Sequence, residues 1–453
     1  MKKKNNLILI TVALGTFMSS LDTSVVTVVN PAIEKYFNIS FSIAQLVLIS
    51  YLLIVSSMLL TFGRIGDLYG HKKVYTCGFI IFTAASLLCG LSIGIEMLVG
   101  CRIIQALGAG MMMSTNSAII VNSVPAERRG KSLSIIAISV AVALCVGPVL
   151  GGVILNLGGW QSIFFVNVPI GVIGTLMSLK NIPKDKINEE HHSFDFAGSI
   201  MIFVALTLII FPLDTIGKIS INTKLMGAMI IVGIFVLIAF LVVEKKSKYP
   251  MFNVGLFKNR IFATSNIAAL FNYMAQFIMI ITLINYLENI RKFSALTAGV
   301  IYIGMPVATI LIAPISGIIS DRFASRWATT IGMGIMVVGM LLLSSVSMST
   351  QKYFLVISFI ISGLGSGLFQ TPNNSAVLGN VPPVNRGTAA GTLGTMRNVG
   401  MVVGTAVAGL LGTMKVSSVH TVLIIAAVAA IISMIFSFVK GKPINMECEA
   451  LDN

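Results

Sequence analysis

Apolar residues follow one another along this chain in runs of about 20, separated by short polar segments. A run of that length lets an α-helix cross the roughly 30 Å hydrocarbon core of a bilayer. The pattern predicts fourteen spans, near residues 7–29, 43–63, 74–95, 97–121, 132–155, 161–180, 196–214, 224–243, 259–285, 295–319, 327–345, 353–378, 388–412 and 419–439. The predicted fold class is an all-α polytopic membrane protein.

The composition supports a lipid environment over a water-soluble fold. Hydrophobic residues make up 56% of the chain and charged residues 10%, against roughly 45–50% and 25% in an ordinary soluble domain. A single soluble core could not bury that much apolar surface, so we expect the lipid bilayer to be the main partner of this chain.

The formal net charge of +15 comes from 31 Lys and Arg residues, and their placement predicts the orientation. With a cytoplasmic N-terminus, 22 of them fall in inner segments and two, Arg102 and Arg397, inside spans. The seven outer ones are Lys35, Lys218, Lys224, Arg291, Lys292, Lys352 and Lys415. This positive-inside bias predicts a multi-pass protein of a bacterial cytoplasmic membrane with both termini cytoplasmic. No basic cluster lies in a polar, foldable segment, so nucleic acid is not an expected partner.

No residue cluster predicts an enzyme, a metal site or a bound cofactor. Four of the five cysteines lie within predicted spans, and none forms a C-x-x-C pair. His191 and His192 lie beside two glutamates in what we interpret as a solvated inner loop. The chain has no G-x-x-x-x-G-K-[ST] loop and no sizeable soluble domain, so ATP-driven transport is disfavoured and a proton gradient is the expected energy source.

An internal repeat divides the chain into two related halves. Gly63-Arg64-Ile65-Gly66-Asp67 recurs as Gly317-Ile318-Ile319-Ser320-Asp321, 254 residues further on. At an offset of 257, the matched pairs are Gly108 with Gly365, Gly110 with Gly367, Asn116 with Asn373, Pro125 with Pro382, Arg129 with Arg386, and Gly147 with Gly404. Repeats at this distance predict two parallel six-helix bundles, with a substrate site between them near the midplane.

The predicted domain plan is six, two and six helices. Residues 1–180 form an N-terminal bundle, and residues 181–258 form a linker with two accessory spans. Residues 259–440 form a C-terminal bundle, and residues 441–453 a cytoplasmic tail.

Asp22 is a lone carboxyl inside the first span, where a charge costs roughly 2.5–3.5 kcal/mol on insertion scales. At about 1.5 Å per residue from Leu7, it lies roughly 22 Å into the hydrocarbon core. Arg102 enters from the opposite face and lies roughly 8 Å deep, so both side chains are expected at one level. Asp22 and Arg102 therefore predict a switchable proton site; a static ion pair that ties spans one and four is the alternative.

Two glycine-containing segments predict gating elements. Gly63, Asp67, Gly70 and Lys72 lie in a tight inner loop that we interpret as a gate latch, repeated at Asp321. A plain topology signal is the alternative for this loop. In span five, Gly147-Pro148-Val149-Leu150-Gly151-Gly152 predicts a bent, tightly packed helix, with generic small-residue packing as the alternative.

Polar side chains inside the spans of both halves are candidate substrate contacts. Asp22 and Gln105 are the candidates of the N-terminal half. Those of the C-terminal half are Asn272, Tyr273, Gln276, Gln370, Asn373 and Arg397. Hydrogen bonds between helices are the alternative role for each amide. Arg397 binds either anionic groups or only backbone carbonyls.

These motifs resemble the fourteen-span drug:proton antiporter branch of the major facilitator superfamily, over the whole chain. The resemblance rests on Leu21, Asp22 and Pro31 in span one, Gly63, Asp67, Gly70 and Lys72 in the first inner loop, Arg102, Gln105, Gly108 and Gly110 in span four, Gly147, Pro148, Gly151 and Gly152 in span five, and Arg397 in span thirteen. Departures from the family pattern are Ser24, Thr27, Leu68, His71, Ser134 and Ala143. The loop thereby loses two charges, whereas span five keeps its small residues.

The resemblance implies alternating access, with the two halves rocking about a midplane site. Its expected activity is export of small, lipophilic or cationic drugs in exchange for protons, by a monomer that binds small molecules and protons. One alternative is a proton-coupled transporter of a single metabolite, peptide or siderophore. A second alternative is a membrane sensor that transports nothing.

Overall fold

The computed structural model describes residues 2–39, 41–125, 128–184, 195–215, 223–246, 254–293, 295–322, 325–382, 385–411 and 416–440. Within these ranges the long elements are all α-helices. They are α1 (Lys2–Phe37), α2 (Phe41–Tyr69), α3 (His71–Gly90), α4 (Ile95–Ser123), α5 (Arg129–Gly158), α6 (Gln161–Asn181), α7 (Phe196–Thr215), α8 (Thr223–Lys246), α9 (Arg260–Asn285), α10 (Ala295–Tyr302), α11 (Gly304–Arg322), α12 (Ser325–Ser344), α13 (Lys352–Gly379), α14 (Arg386–Leu411) and α15 (Val416–Phe438).

Each of the fourteen predicted spans has a helical counterpart, which confirms the predicted fold class. Twelve helical segments in the described residues are long and apolar enough to cross a membrane. The two other predicted spans correspond to α5 and α14. Span ten is divided into α10 and α11 at Ile303. Pro306 explains the interruption, since it has no N–H to donate to Tyr302, four residues earlier.

The first inner turn is much shorter than predicted. Instead of a loop from Gly63 to Lys73, α2 continues to Tyr69 and α3 begins at His71. Gly70 alone makes the turn, with a backbone φ of 102° that residues other than glycine rarely adopt. The polar residues before Gly70 therefore extend α2 and do not form a loop.

The sequence repeat recurs as a packing contact. A Cβ atom on Gly108 of α4 would lie 2.7 Å from the carbonyl oxygen of Gly78 on α3. A Cβ atom on Gly365 of α13 would lie 2.6 Å from the carbonyl oxygen of Gly332 on α12. In both places a side chain would separate two helix backbones that touch directly.

The helices divide into two compact units. Unit 1 comprises Met1–Ser123, Ile138–Phe252 and Ala390–Thr395. Unit 2 comprises Val124–Ala137, Asn253–Ala389 and Met396–Asn453. One apolar cluster of unit 1 includes Leu21, Val25, Leu98, Trp160 and Phe164. A cluster of unit 2 includes Met333, Met336, Met340, Phe359 and Phe369. The predicted domain boundaries remain predictions, and the predicted tail, residues 441–453, lies outside the described residues.

The accessory helices α7 and α8 form a closely packed hairpin beside α2. A Cβ atom on Gly233 of α8 would lie 2.8 Å from Ile209 Cγ1 of α7. On α8, Ile231, Phe235 and Ile238 are 57%, 68% and 52% exposed, and their spacing places them on one stripe. Contact between this apolar stripe and lipid is energetically favourable, whereas exposing the stripe to water would cost free energy.

Candidate functional site

The side chains of Asp22 and Arg102 form a fully buried ion pair in unit 1. Arg102 Nη1 on α4 lies 2.5 Å from Asp22 Oδ2 on α1, and both side chains are 0% exposed. The two residues are 80 positions apart in the chain. The equal depth expected from the helical rise is what lets these side chains meet.

Two side-chain amides donate hydrogen bonds to the other oxygen of the Asp22 carboxyl, Oδ1. Gln105 Nε2 donates to Asp22 Oδ1 at 3.0 Å, and Asn167 Nδ2 of α6 donates to the same oxygen at 2.8 Å. Together with Arg102, they present three donors from α4 and α6. Such a shell fits the ionised carboxylate, which only accepts hydrogen bonds. We call Asp22, Arg102, Gln105 and Asn167 the Asp22 cluster.

The guanidinium of Arg102 has further contacts that fix its position. Arg102 Nε donates to the carbonyl oxygen of Val47 on α2 at 3.1 Å, and Nη1 also donates to Gln105 Oε1 at 2.6 Å. The Tyr51 ring centroid lies 4.1 Å from Arg102 Cζ, a cation–π distance. Four helices of unit 1, α1, α2, α4 and α6, thus converge on this charge.

Sequence reasoning named Asp22, Arg102 and Gln105 but missed Asn167 and Tyr51. The signal for Asn167 was available, because it is an amide flanked by apolar residues in Phe-Val-Asn-Val-Pro. A polar side chain in such surroundings needs a hydrogen-bond partner. The identity of that partner required the tertiary structure.

The glycines of span five bring α5 against α1 close to Asp22. A Cβ atom on Gly147 would lie 2.6 Å from Ser24 Cβ, and one on Gly151 would lie 3.2 Å from Val25 Cγ1. Within the described residues, Gly152 makes no comparable contact. The helix α5 runs uninterrupted past Pro148, whose side chain lies outside the described residues, so the predicted bend stays a prediction.

A second polar cluster lies within unit 2 and centres on Arg397 of α14. Arg397 Nη2 donates to Asn374 Oδ1 of α13, and Arg397 Cζ lies 5.5 Å from the Tyr273 ring centroid of α9. Close helix packing sets this arrangement, since Gly400 abuts the Leu270 backbone and a Cβ on Gly404 would lie 2.5 Å from Met274 O.

Amides and one hydroxyl continue the cluster between α9 and α13. Gln276 Nε2 donates to Asn272 Oδ1 at 3.2 Å and to Ser366 Oγ at 2.9 Å, and Gln370 Nε2 donates to Ser366 Oγ at 2.8 Å. We define the Arg397 cluster as Asn272, Tyr273, Gln276, Ser366, Gln370, Asn374 and Arg397. Ser366 was missed as a candidate, although its four-residue spacing from Gln370 places both side chains on one helix face.

Asn373 lies apart from this cluster, unlike the other substrate candidates of the C-terminal half. Its Nδ2 donates to Ser265 O at 3.1 Å, and its Oδ1 accepts from Lys440 Nζ at 2.7 Å. The Asn373 side chain is only 1% exposed. These contacts join α9, α13 and the end of α15, which is a structural role.

The predicted latch residues lie at the α2–α3 turn. His71 Nε2 lies 3.2 Å from Asp67 Oδ1, so one residue that departs from the family pattern contacts the motif carboxyl. Lys72 Nζ donates to Leu179 O at 2.7 Å and to Ile182 O at 2.6 Å, which caps the C-terminus of α6. Gly63 lies within α2, and Asp321 lies within α11 with a side chain outside the described residues.

The described residues contain no group of three or more His, Cys, Asp or Glu side chains able to hold a metal ion. What they contain is a membrane-spanning bundle with charged and amide side chains at mid-helix depth. Intramembrane ionisable groups of this kind mark ion or substrate pathways. The fold and the site therefore define a polytopic transporter.

Sequence comparison identifies the family. A model of the Major Facilitator Superfamily matches residues 12–258 and 266–448. The chain belongs to the major facilitator superfamily, as the motifs predicted.

Curated relatives cover most of the chain. It is 36% identical over 404 residues to the riboflavin transporter RibZ of Clostridioides difficile, covering 89% of this chain and 87% of RibZ. It is 30% identical over 403 residues to multidrug resistance protein 3 of Bacillus subtilis, covering 88% of this chain and 78% of that protein. Multidrug resistance protein Stp of Mycobacterium tuberculosis is 27% identical over 413 residues, covering 90% of this chain and 76% of Stp. The relatives named for drug resistance support the predicted efflux branch.

Among solved structures, the human organic anion transporter MFSD10 superimposes with a TM-score of 0.68 at 12% identity. The match covers 96% of this chain and 99% of that one. This likeness confirms the fold.

Proposed function

We propose that the chain is a proton-coupled antiporter that exports small, lipophilic drugs by alternating access, with Asp22 as its proton carrier. One observation carries the proposal. Asp22 is a fully buried carboxyl, and its counter-charge is the equally buried guanidinium of Arg102, 2.5 Å away. Protonation removes the attraction between the two groups, so each proton that binds changes the contact between α1 and α4.

In the proposed cycle, the arrangement of the Asp22 cluster is the proton-free state. Proton entry from outside neutralises Asp22 and releases Arg102, and proton loss to the cytoplasm restores the pair. Substrate exchange in the opposite direction couples the two fluxes. The relatives named for multidrug resistance support drugs as the exported class.

Transport of one flat metabolite is the second candidate function. It is favoured by the 36% identity to a protein named as a riboflavin transporter, which exceeds the 30% identity to a named drug-resistance protein. Riboflavin or a similar heteroaromatic compound would then replace drugs as substrate.

We also propose the predicted organisation of the polypeptide. Residues 1–180 form one six-helix bundle and residues 259–440 form the other, and the accessory segment 181–258 lies between them in the sequence. The chain acts as a monomer in a bacterial cytoplasmic membrane, with both termini in the cytoplasm. The excess of Lys and Arg in predicted inner segments supports this orientation.

Proton movement in everted membrane vesicles tests the coupling. We expect wild-type vesicles to exchange protons for an added drug. Asp22→Asn should insert normally and exchange none, because an amide cannot carry the proton. Glu96→Gln is the matched control, since it removes an exposed carboxyl from α4 and should keep exchange intact. Proton exchange that persists in Asp22→Asn would refute the proposal.

Protein levels separate coupling from a static ion pair. If the ion pair had only a structural role, Asp22→Asn would reduce the amount of folded protein in the membrane, since Arg102 would stay buried without a counter-charge.

Radiolabelled riboflavin, assayed beside the drugs in vesicles of both orientations, distinguishes the two candidate substrate classes.

A further inference from the structure

Two arginines lie at mid-helix depth in the part of the chain that the structure describes, and one of the two has a carboxylate partner there. Arg102 pairs with Asp22. Arg397 lies eleven residues after the start of α14, roughly 16 Å along that helix. None of the ion pairs found in the described ranges includes Arg397, and its contacts there are the Asn374 amide oxygen and the Tyr273 ring.

The guanidinium of Arg397 has more donors than these contacts use. It carries five N–H groups in a planar fork that matches carboxylate and phosphate oxygens. Asn374 accepts from one of them, and the Arg397 side chain is half-buried, so part of it remains accessible. A cation at this depth, with no carboxylate partner among the described residues, is a candidate site for the negative charge of a ligand.

The rest of the Arg397 cluster is polar but uncharged. Asn272 Nδ2 is buried and has no hydrogen-bond acceptor in the described structure, which leaves a second donor for a ligand. Gln370 and Tyr273 are half-buried, so an amide and an aromatic ring are also accessible. The glycine contacts of Gly400 and Gly404 with α9 keep Arg397 beside Tyr273.

We propose that the Arg397 cluster is a substrate subsite for planar aromatic molecules that carry an anionic group. The anionic group forms charge-assisted hydrogen bonds with Arg397, and the ring packs against Tyr273 and the guanidinium plane. This inference rests on the proposed transport function and narrows its substrates, because Arg397 repels a cationic ligand of the same shape. All of the residues involved belong to unit 2.

A pair of dyes with one ring system and opposite charges tests the subsite. Fluorescein is an anionic xanthene and rhodamine 123 a cationic one, and fluorescence anisotropy measures the binding of either dye to the purified full-length protein in detergent. We expect fluorescein to bind at least about tenfold more tightly than rhodamine 123. Equal affinities, tighter binding of rhodamine 123, or no binding of fluorescein would overturn the proposal.

Substitution of Arg397 assigns the preference to this residue. Arg397→Gln should weaken fluorescein binding about tenfold or more and remove the preference between the dyes, whereas Arg397→Lys should keep part of it. Arg260→Gln is the matched control, because it removes an exposed arginine from the same unit. A folded Arg397→Gln protein with unchanged fluorescein affinity would contradict the assignment. The comparison of dyes on the wild-type protein decides the proposal even if Arg397→Gln does not fold.

This experiment is independent of proton coupling. Asp22→Asn should retain the preference for fluorescein if the subsite exists, whether or not it abolishes proton exchange. Loss of the dye preference only in Arg397 variants, together with loss of proton exchange only in Asp22 variants, would support both proposals separately.

Discussion

Asn167 positions the carboxyl on which the proposed mechanism depends. Its amide donates to Asp22 Oδ1 at 2.8 Å from α6, a helix that contributes no other hydrogen-bond donor to the Asp22 cluster among the described residues. Because Asn167 is 2% exposed, water cannot easily replace this hydrogen bond if the side chain is changed. A buried carboxylate that loses one donor keeps its desolvation cost without the compensating contact.

We predict that Asn167→Ala destabilises the protein by about 1–3 kcal/mol, measured as a lower apparent Tm in detergent. Combined with Asp22→Asn, the two effects should be non-additive because the residues share one contact. Asn181→Ala is the control, since this amide on α6 donates to Thr11 Oγ1 and not to Asp22. Additive effects of Asn167→Ala and Asp22→Asn would contradict the proposed contact.

Lys440 is a buried amine just beyond the last transmembrane helix. Its Nζ donates to Asn373 Oδ1 at 2.7 Å and lies 3.4 Å from Thr329 Oγ1. Burial lowers the pKa of the Lys440 ammonium to about 7, from its ordinary value of 10.5. Arg326, the charged residue of α12 near this end of α15, stacks over Phe438 at 4.2 Å.

The lowered pKa of Lys440 predicts a pH-dependent stability. Between about pH 7 and pH 10 the unfolded chain binds more protons than the folded one, so stability rises with pH there, by at most about 1.4 kcal/mol per unit. Lys440→Met should remove this dependence. Its apparent Tm should therefore exceed that of the wild type most at about pH 7 and below, and least at about pH 9.

A matched variant separates this effect from general pH sensitivity. Lys180→Met removes an exposed lysine at the end of α6 and should follow the wild-type pH profile. If Lys440→Met also follows the wild-type profile, Lys440 is hydrated and the buried contact with Asn373 does not form in solution.

At the scale of single helices, glycine decides how closely the backbones approach. Gly108 touches α3, and its repeat partner Gly365 touches α12 in the same way. Gly100 lies on the same helix as Gly108, but nothing lies within 4 Å of where its Cβ would be. The chain thus offers an internal comparison between a packed glycine and an open one.

We predict that Gly108→Val costs about 1–3 kcal/mol through overpacking and lowers the yield of folded protein, as Gly365→Val should. Gly100→Val should change the apparent Tm little, because the added methyl groups meet no neighbour. Size-exclusion chromatography of a fluorescent fusion, without and after heating, measures the yield of folded protein and the apparent Tm of each variant. Equal losses for Gly108→Val and Gly100→Val would mean that the helix contact does not explain the effect.

Lys72 of α3 caps the C-terminus of a different helix, α6. The positive charge at the C-terminal carbonyls of α6 compensates the partial negative charge of that helix end. The sequence left Lys72 between a latch and a topology signal, and the contact gives it a structural role that both readings omitted.

For the whole molecule, the orientation in the membrane is the property to be tested. The predicted outer segments contain Lys352, and the predicted inner turn contains Lys73, and both side chains are exposed. We predict that Lys352→Cys reacts with an impermeant maleimide in intact cells, whereas Lys73→Cys reacts only after permeabilisation. The parent protein with its native cysteines is the background control. Labelling of Lys73→Cys in intact cells would reverse the assignment of the two faces.

The membrane fold was predictable because its physical cause is local. A bilayer requires about 20 apolar residues for each crossing, so composition along the chain was enough to place the spans. The depth of Asp22 and Arg102 was predictable for the same reason, since the helical rise per residue is constant. The glycine repeat further predicted related halves, and Gly108 and Gly365 make equivalent contacts.

The direction in which each side chain points around its helix axis could not be predicted from the sequence and became known from the packed helices. Successive residues of a helix point about 100° apart, so Asn373 and Asn374 serve different neighbours. Asn374 accepts a hydrogen bond from Arg397, whereas Asn373 is tied to Ser265 and Lys440. The order of amino acids was enough to predict how deep each polar side chain lies, because depth depends only on position along one helix. Which partner it meets depends on how several helices turn and pack against one another, and only the folded bundle settles that.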